Sequence, residues 1–234
     1  ASVLRWPSLL LRVAGASEAL LGATVLRRTP IPVRSLYQSL AGGYAAIDPG
    51  WREWFYPQAH QAFDQALVDS LPTGGMVLDL GSGIGANMSR LIQLKLHFGS
   101  YLGVDLTPAM LQQAGARYSH LPNVAFQQID LLQDALPEGP FDLIVSTWVF
   151  EHLPDPVFVA EKAWERLKPG GAMVLLFEVE TNTFLSRLFG WIYPFLSVRL
   201  VKENEVRAMP GKQTIQYFSG PVGEVAVVRL SKQS

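Results

Sequence analysis

MVLDLGSGIGAN, running from Met76 to Asn87, joins a short apolar run to a glycine loop and then to a helical pattern. Met76, Val77, Leu78 and Leu80 form the run, and Asp79 is the one carboxylate inside it. Gly81, Gly83 and Gly85 make the loop, and a helix-compatible pattern continues from Ala86 to Lys95. Strand, glycine turn and helix is the order that lets backbone N–H groups come close to a ligand. It also places that ligand at the carboxyl edge of a parallel sheet. Glycine serves any tight turn, so the reading depends on the acids further along the chain.

Asp105 closes the next apolar run, Tyr101 to Val104, about twenty residues beyond the glycines, where dinucleotide-type folds place a carboxylate that accepts from ribose hydroxyls. Asp130 closes a third run, Val124 to Ile129. Three successive strands therefore each carry an acid near the C-terminal end, along one rim of the sheet.

Further strands are expected at Phe141–Ser146 and Met173–Phe177. Thr107-Pro108 reads as a helix cap with proline at the first helical position, and Lys168-Pro169-Gly170-Gly171 as the stop of a helix starting near Pro156. Thr214–Phe218 and Glu224–Leu230 flank a Gly-Pro turn and read as an antiparallel hairpin. Alternating strands and helices predict an α/β, Rossmann-like doubly wound sheet, mostly parallel.

From about Trp51 to Lys232 the motifs resemble, in order, those of class I S-adenosylmethionine (SAM)-dependent methyltransferases, in the group acting on small molecules, quinones and lipids. VLDLGSGIG, YLGVDLTPAML, FQQIDLLQDALP, FDLIVSTWVFEHLPDP and LKPGGAMVLLFEV carry the resemblance. It implies seven strands with the C-terminal pair antiparallel, SAM as cofactor, and a cofactor site drawn from Asp79, Gly81, Ser82, Gly83, Asp105, Leu106, Asp130, Leu131 and Thr147. Asp79, two residues before the first glycine, suits the methionine ammonium, directly or through water. Asp130 and the Leu131 N–H suit the adenine edge. A nicotinamide or flavin is the alternative cofactor, since the loop stretches to GxGxxA.

Composition narrows the acceptor. Net charge is −1, which gives no global field for nucleic acid, and the Asn/Asp-Pro-Pro-Tyr/Phe signature of nucleic-acid and protein nitrogen methylation is replaced by Ser146-Thr147-Trp148-Val149. There are no cysteines, and the four histidines (His60, His97, His120, His152) lack metal-ligand spacing, so no metal is expected. Residues 1–47 hold five arginines against one acid, Glu18, in an apolar background. The segment reads as a helical lid or as an amphipathic helix on an anionic membrane surface, and the two are compatible. Phe184–Leu200, apolar, aromatic and basic, reads as part of an acceptor-side insertion over 184–212. The expected organisation is an N-terminal helical appendage over 1–50 and a catalytic domain over 51–234, in a cytoplasmic protein with peripheral membrane attachment in view.

SAM carries an activated methyl, so orientation and exclusion of water matter more than any single side chain. Glu151 and His152, just past the fourth strand, are the candidate catalytic pair, with His152 as base for a phenol or enol. The Phe150-Glu151-His152 triplet also resembles the cyclopropane-fatty-acid synthase branch, which implies that Glu151 helps hold an anion beside the reaction centre. The alternative for His152 is packing of the turn before Pro154. Tyr44 and His60 are candidates to reach the site from the lid, and Trp148 and Phe150 to shape its floor. The expected reaction is methyl transfer to a lipophilic quinone, phospholipid amine or phenol. The alternatives are a soluble polar acceptor, or a SAM-binding protein without transferase activity.

Overall fold

The computed structural model describes residues 32–38, 53–180, 198–221 and 223–233. Tyr44, most of the N-terminal segment and the apolar stretch from Phe184 to Ser197 lie outside the described residues.

Residues 33–38 are helical. The chain then forms α1 (Pro57–Ser70), β1 (Gly75–Leu80), α2 (Ala86–Gln93), β2 (Phe98–Asp105), α3 (Pro108–Tyr118), β3 (Val124–Gln128) and β4 (Phe141–Thr147). A 3-10 helix (Phe150–His152) comes next, then α4 (Pro156–Trp164), β5 (Leu167–Val179), α5 (Glu203–Ala208), β6 (Lys212–Ser219) and β7 (Glu224–Ser231). Seven strands form one sheet in the order β3-β2-β1-β4-β5-β7-β6. Strands β1 to β5 run parallel, and β7 pairs antiparallel with both β5 and β6. This is the Rossmann-like doubly wound sheet with an antiparallel C-terminal hairpin that the motif order implies.

Apolar side chains on both faces explain why the inner strands read as continuous runs. On β4, Leu143 and Val145 pack with Phe63 and Leu67 of α1, while Ile144 packs with Val159 of α4 on the other face. Ala59, Phe63, Ala66 and Leu67 recur at helical spacing and form the buried stripe of α1. Asp155 caps α4 by accepting from the Phe158 N–H at 2.9 Å, with Pro156 at the first helical position.

The largest difference from the sequence reading is at the start of β5. The helix from Pro156 ends at Trp164, and Lys168 to Gly171 belong to β5. Gly170 takes φ +80°, its N–H donates to the Lys232 carbonyl, and the Lys232 N–H returns a bond to the Gly171 carbonyl. Cross-strand pairing captures a segment whose proline and glycines otherwise signal a stop.

The order of strands reverses direction between β1 and β4, so the loops leaving these strands diverge and open a crevice. Ser146 ties the two strands together beneath it, its hydroxyl donating to the Leu80 carbonyl at 2.7 Å.

Candidate functional site

A cavity of about 320 Å³ occupies this crevice. The loop after β1 supplies one wall. Gly81, Gly83 and Gly85 all have positive φ, but they serve different ends. A Cβ on Gly81 would lie 2.3 Å from Val149 Cγ2, and one on Gly85 would lie 2.4 Å from the Tyr118 ring. Both are close-packing glycines. A Cβ on Gly83 would meet nothing within 4 Å, so this position keeps open space beside the cavity it lines.

The loop's N–H groups are turned inward. Gly81 and Ser82 donate to the Val104 carbonyl at 2.8 and 2.9 Å, Gly85 to the Ser82 carbonyl, and Gly83 to Asp105 Oδ2 at 2.9 Å. The expectation that these amides face a ligand therefore does not hold at those four positions, because the end of β2 and the loop's own carbonyl take them. The consequence is chemical. A dinucleotide's pyrophosphate needs free amides there, and it would also meet the Asp105 carboxylate. An uncharged ribose and a cationic amino-acid tail meet neither obstacle.

Asp105 accepts a second backbone bond, from the Thr107 N–H to Oδ1 at 2.8 Å, and lines the cavity. Burial pushes its carboxyl up, and the Thr107 and Gly83 bonds hold it back. Leu106, Asp130 and Leu131 continue this wall. Asp130 shapes its own turn, with Oδ1 accepting from the Leu132 N–H at 2.9 Å.

Asp79 is fully buried and does not line the cavity. Its Oδ1 accepts from Asn87 Nδ2 at 2.9 Å, and the Tyr101 hydroxyl donates to Oδ2. Burial raises its pKa to about 7 despite the Tyr101 and Asn87 bonds, and the nearby Asp105 charge adds to the rise. The Thr147 hydroxyl donates to Asn87 Oδ1 at 3.3 Å. Asn87 and Thr147 both reach the cavity, so Asp79 acts on it through them. Asn87 is not among the residues that the sequence singles out; its signal is a lone amide in the first turn of the helix after the glycine loop.

The opposite wall comes from the end of β4 and from the N-terminal helix. Trp148 has φ +59°, a region that non-glycine residues rarely occupy, and its ring is held near Tyr56 and His60, with centroids at 5.9 and 6.0 Å. His152 lines the cavity, whereas Glu151 is buried and lies outside the lining. A 3-10 helix turns successive side chains by a third of a revolution, so it presents one of the two. Phe150 stacks on Phe177 in the core at 5.6 Å.

Tyr37, which carries no sequence signal, brings its hydroxyl to 2.9 Å from His152 Nε2, and it packs against Ile84 and Met110. Arg34 Nη2 lies 3.5 Å from the Leu106 carbonyl. His60 does reach the cavity, and its Nδ1 is 3.0 Å from Arg90, which pairs with Asp64 at 2.5 Å and also with Glu53. Among the described residues no cluster of His, Asp and Glu is placed to hold a metal ion, and no helix is long and apolar enough to cross a membrane.

Residues 78–173 match the methyltransferase domain family. The chain is 36% identical over 138 residues to a trans-aconitate 2-methyltransferase of Deinococcus radiodurans, a match covering 55% of this chain and 50% of that protein. It is 28% identical over 188 residues to a ubiquinone biosynthesis O-methyltransferase of Xylella fastidiosa, covering 77% of this chain and 71% of that one. The match thus spans only about half the length of the first relative. The fold is similar to that of the N-methyltransferase NodS of Bradyrhizobium japonicum in complex with S-adenosyl-L-homocysteine, with a TM-score of 0.62, 19% identity, and coverage of 85% and 99% of the two chains. The family match makes residues 78–173 a methyltransferase domain, set in the Rossmann-like strand order that the motifs of SAM-dependent methyltransferases imply.

Proposed function

We propose that the protein transfers a methyl group from SAM to a lipophilic small molecule bearing a hydroxyl, of the quinol or phenol kind. The observation that carries this reading is the Tyr37–His152 pair, set among Val33, Val149 and Leu153 on the wall opposite Asp105. An imidazole with an apolar surround and a phenol partner suits an aromatic hydroxyl acceptor better than a polyanion. The relative matched over 188 residues, named for O-methylation in ubiquinone biosynthesis, supports the same class.

SAM supplies a methyl already activated by its sulfonium. The chain's residues orient and enclose. Asp105 takes the ribose hydroxyls on its remaining lone pairs, Asp130 and Leu131 flank the adenine, and Leu106 packs beside them. Gly81, Ser82 and Gly83 shape the loop, with Gly83 leaving it open. Asn87 and Thr147 receive the methionine ammonium, with the charge of Asp79 behind them. His152 Nε2 takes the acceptor's proton, and the Tyr37 hydroxyl orients that ring until the acceptor arrives. General-base assistance of this kind contributes about 10²–10⁴-fold. The five arginines among residues 1–50 suit an anionic membrane surface from which a lipophilic acceptor is drawn.

The test pairs calorimetric titration of S-adenosylhomocysteine with methyl transfer from labelled SAM. The acceptors are a hydroquinone, phosphatidylethanolamine in anionic vesicles, and trans-aconitate as the polar control. Transfer to the hydroquinone supports the proposal, and faster transfer with vesicles supports the membrane source. Transfer to trans-aconitate alone assigns a soluble polar acceptor, and cofactor binding without any transfer leaves a SAM-binding protein.

A further inference from the structure

We propose that Arg199 is a positioning residue for His152, holding the main chain on both sides of it; the inference rests on reading the cavity as the methyl-transfer site. The 3-10 helix closes its own bonds from His152 N–H to Val149 and from Leu153 N–H to Phe150, at 2.9 and 3.2 Å. The carbonyls of Glu151 and Leu153 fall beyond these bonds and need donors from elsewhere. One residue supplies both. The Arg199 N–H donates to the Glu151 carbonyl at 2.6 Å, and Arg199 Nε donates to the Leu153 carbonyl at 3.3 Å.

Arg199 is itself held. Its Nη1 meets both carboxylate oxygens of Glu205 at 3.0 Å, and Glu205 Oε2 also accepts from the Lys202 N–H at the start of α5. Two residues on, Val201 is bonded on both sides to the end of β5, its N–H to the Glu178 carbonyl and its carbonyl to the Glu180 N–H. Arg199 thus links the rigid end of β5 and α5 to the turn that carries His152. The imidazole is fixed from two directions: Tyr37 meets the ring and Arg199 holds the backbone beneath it. A two-point hold on peptide carbonyls fixes rotation of the turn as well as its distance. That is what a base needs, because a displacement of about 1 Å can cost a hundredfold in rate.

The experiment is a pH titration of the His152 imidazole by NMR in the full chain. The signal is assigned with His152→Gln, and Arg199→Ala, Arg199→Lys and Glu205→Gln are compared with the wild type; S-adenosylhomocysteine affinity is measured for each. Among the described residues, Tyr37, Glu151, Asp155, Arg199 and Glu205 are charged or titratable groups on the segments that meet this turn. In Arg199→Ala the His152 midpoint and line shape should move, while cofactor-product affinity and the His60 midpoint stay unchanged. Arg199→Lys should fail to restore them, since one ammonium cannot replace the planar fork. Glu205→Gln should move His152 in the same direction and less, and it carries the test if Arg199→Ala does not fold. An unmoved His152 overturns the proposal, and so does an equal movement of His60, which would mean general loosening. Absence of S-adenosylhomocysteine binding in the wild type would instead defeat the methyl-transfer reading while leaving the Arg199–His152 result interpretable.

Discussion

Asp105 and His152 face one cavity from opposite walls, yet they are held in place by different means. Asp105 takes two backbone N–H groups, from Gly83 and Thr107, so its position comes from the path of the β1 loop and the end of β2. His152 depends on a phenol 115 residues away in sequence and on an arginine from beyond β5. One wall is a property of the main chain. The other is assembled from side chains that distant segments deliver. The first suits a cofactor of invariant shape, and the second can be rebuilt for each acceptor without disturbing the first.

If that division is real, the two walls separate kinetically. With a hydroquinone as acceptor, His152→Ala should lower kcat by roughly 10²–10⁴-fold, the range for a lost general base, with S-adenosylhomocysteine affinity unchanged. Tyr37→Phe keeps the ring and removes the hydroxyl, so a smaller loss in the same direction is expected. A variant at His152 that loses cofactor affinity in step with rate would show that the walls are one unit.

The converse is Asp105→Ala. The substitution strips the Gly83 and Thr107 amides of their acceptor and removes the charged partner proposed for the ribose. Hydrogen bonds to a charged group are worth about 1.5–3 kcal/mol each, so affinity for S-adenosylhomocysteine should fall by about two orders of magnitude or more. Calorimetry reads this directly, and affinity within a factor of a few of wild type would remove Asp105 from the site.

Two glycines of the same loop sharpen the contrast further. Gly81→Ala would press a methyl to 2.3 Å from Val149, where the chain leaving β4 turns toward His152, so thermal unfolding should show a clear loss of stability. Gly83→Ala meets open space and bears only the strain of a left-handed backbone, about 1–2 kcal/mol. Its methyl borders the cavity, so cofactor affinity should suffer more than stability does.

The same division explains how much of the site is legible in the sequence. The β1 loop and the acids of β2 and the β3 turn announce themselves through local signals: apolar runs of strand length, glycines where φ is positive, and a carboxylate at each strand end. Of the positions expected around the cofactor, all but Asp79 line the cavity. Asp79 is legible as an acid but its concealment is not, since only the fold shows Tyr101 and Asn87 closing over it. Tyr37 and Arg199 carry no local mark. Each acts through bonds to residues far away in sequence, and neither apolar periodicity nor turn chemistry encodes such a bond. The Lys168–Gly171 segment departs from its local signal for a related reason, because pairing with β7 and Lys232 overrides the stop.

Asp79 supplies the most discriminating effect. Its folded pKa, about 7, stands above the ordinary carboxylate value of 3.8 because burial disfavours the charge. Between these values the native state retains a proton that the unfolded chain has released. The stability contributed is therefore full below about 3.8 and is lost as pH rises through about 7, by at most about 1.4 kcal/mol per pH unit. Thermal unfolding of the ligand-free protein at pH 5.5 and pH 8 should show this decline, and Asp79→Asn should flatten it. SAM should reverse the trend. An ammonium resting on Asn87 and Thr147 favours the charged carboxylate behind them, so cofactor affinity should rise with pH over the window in which ligand-free stability falls. Affinity flat across that window, in a protein whose Asp79 demonstrably titrates there, would place the ammonium elsewhere and leave Asp79 a structural acid.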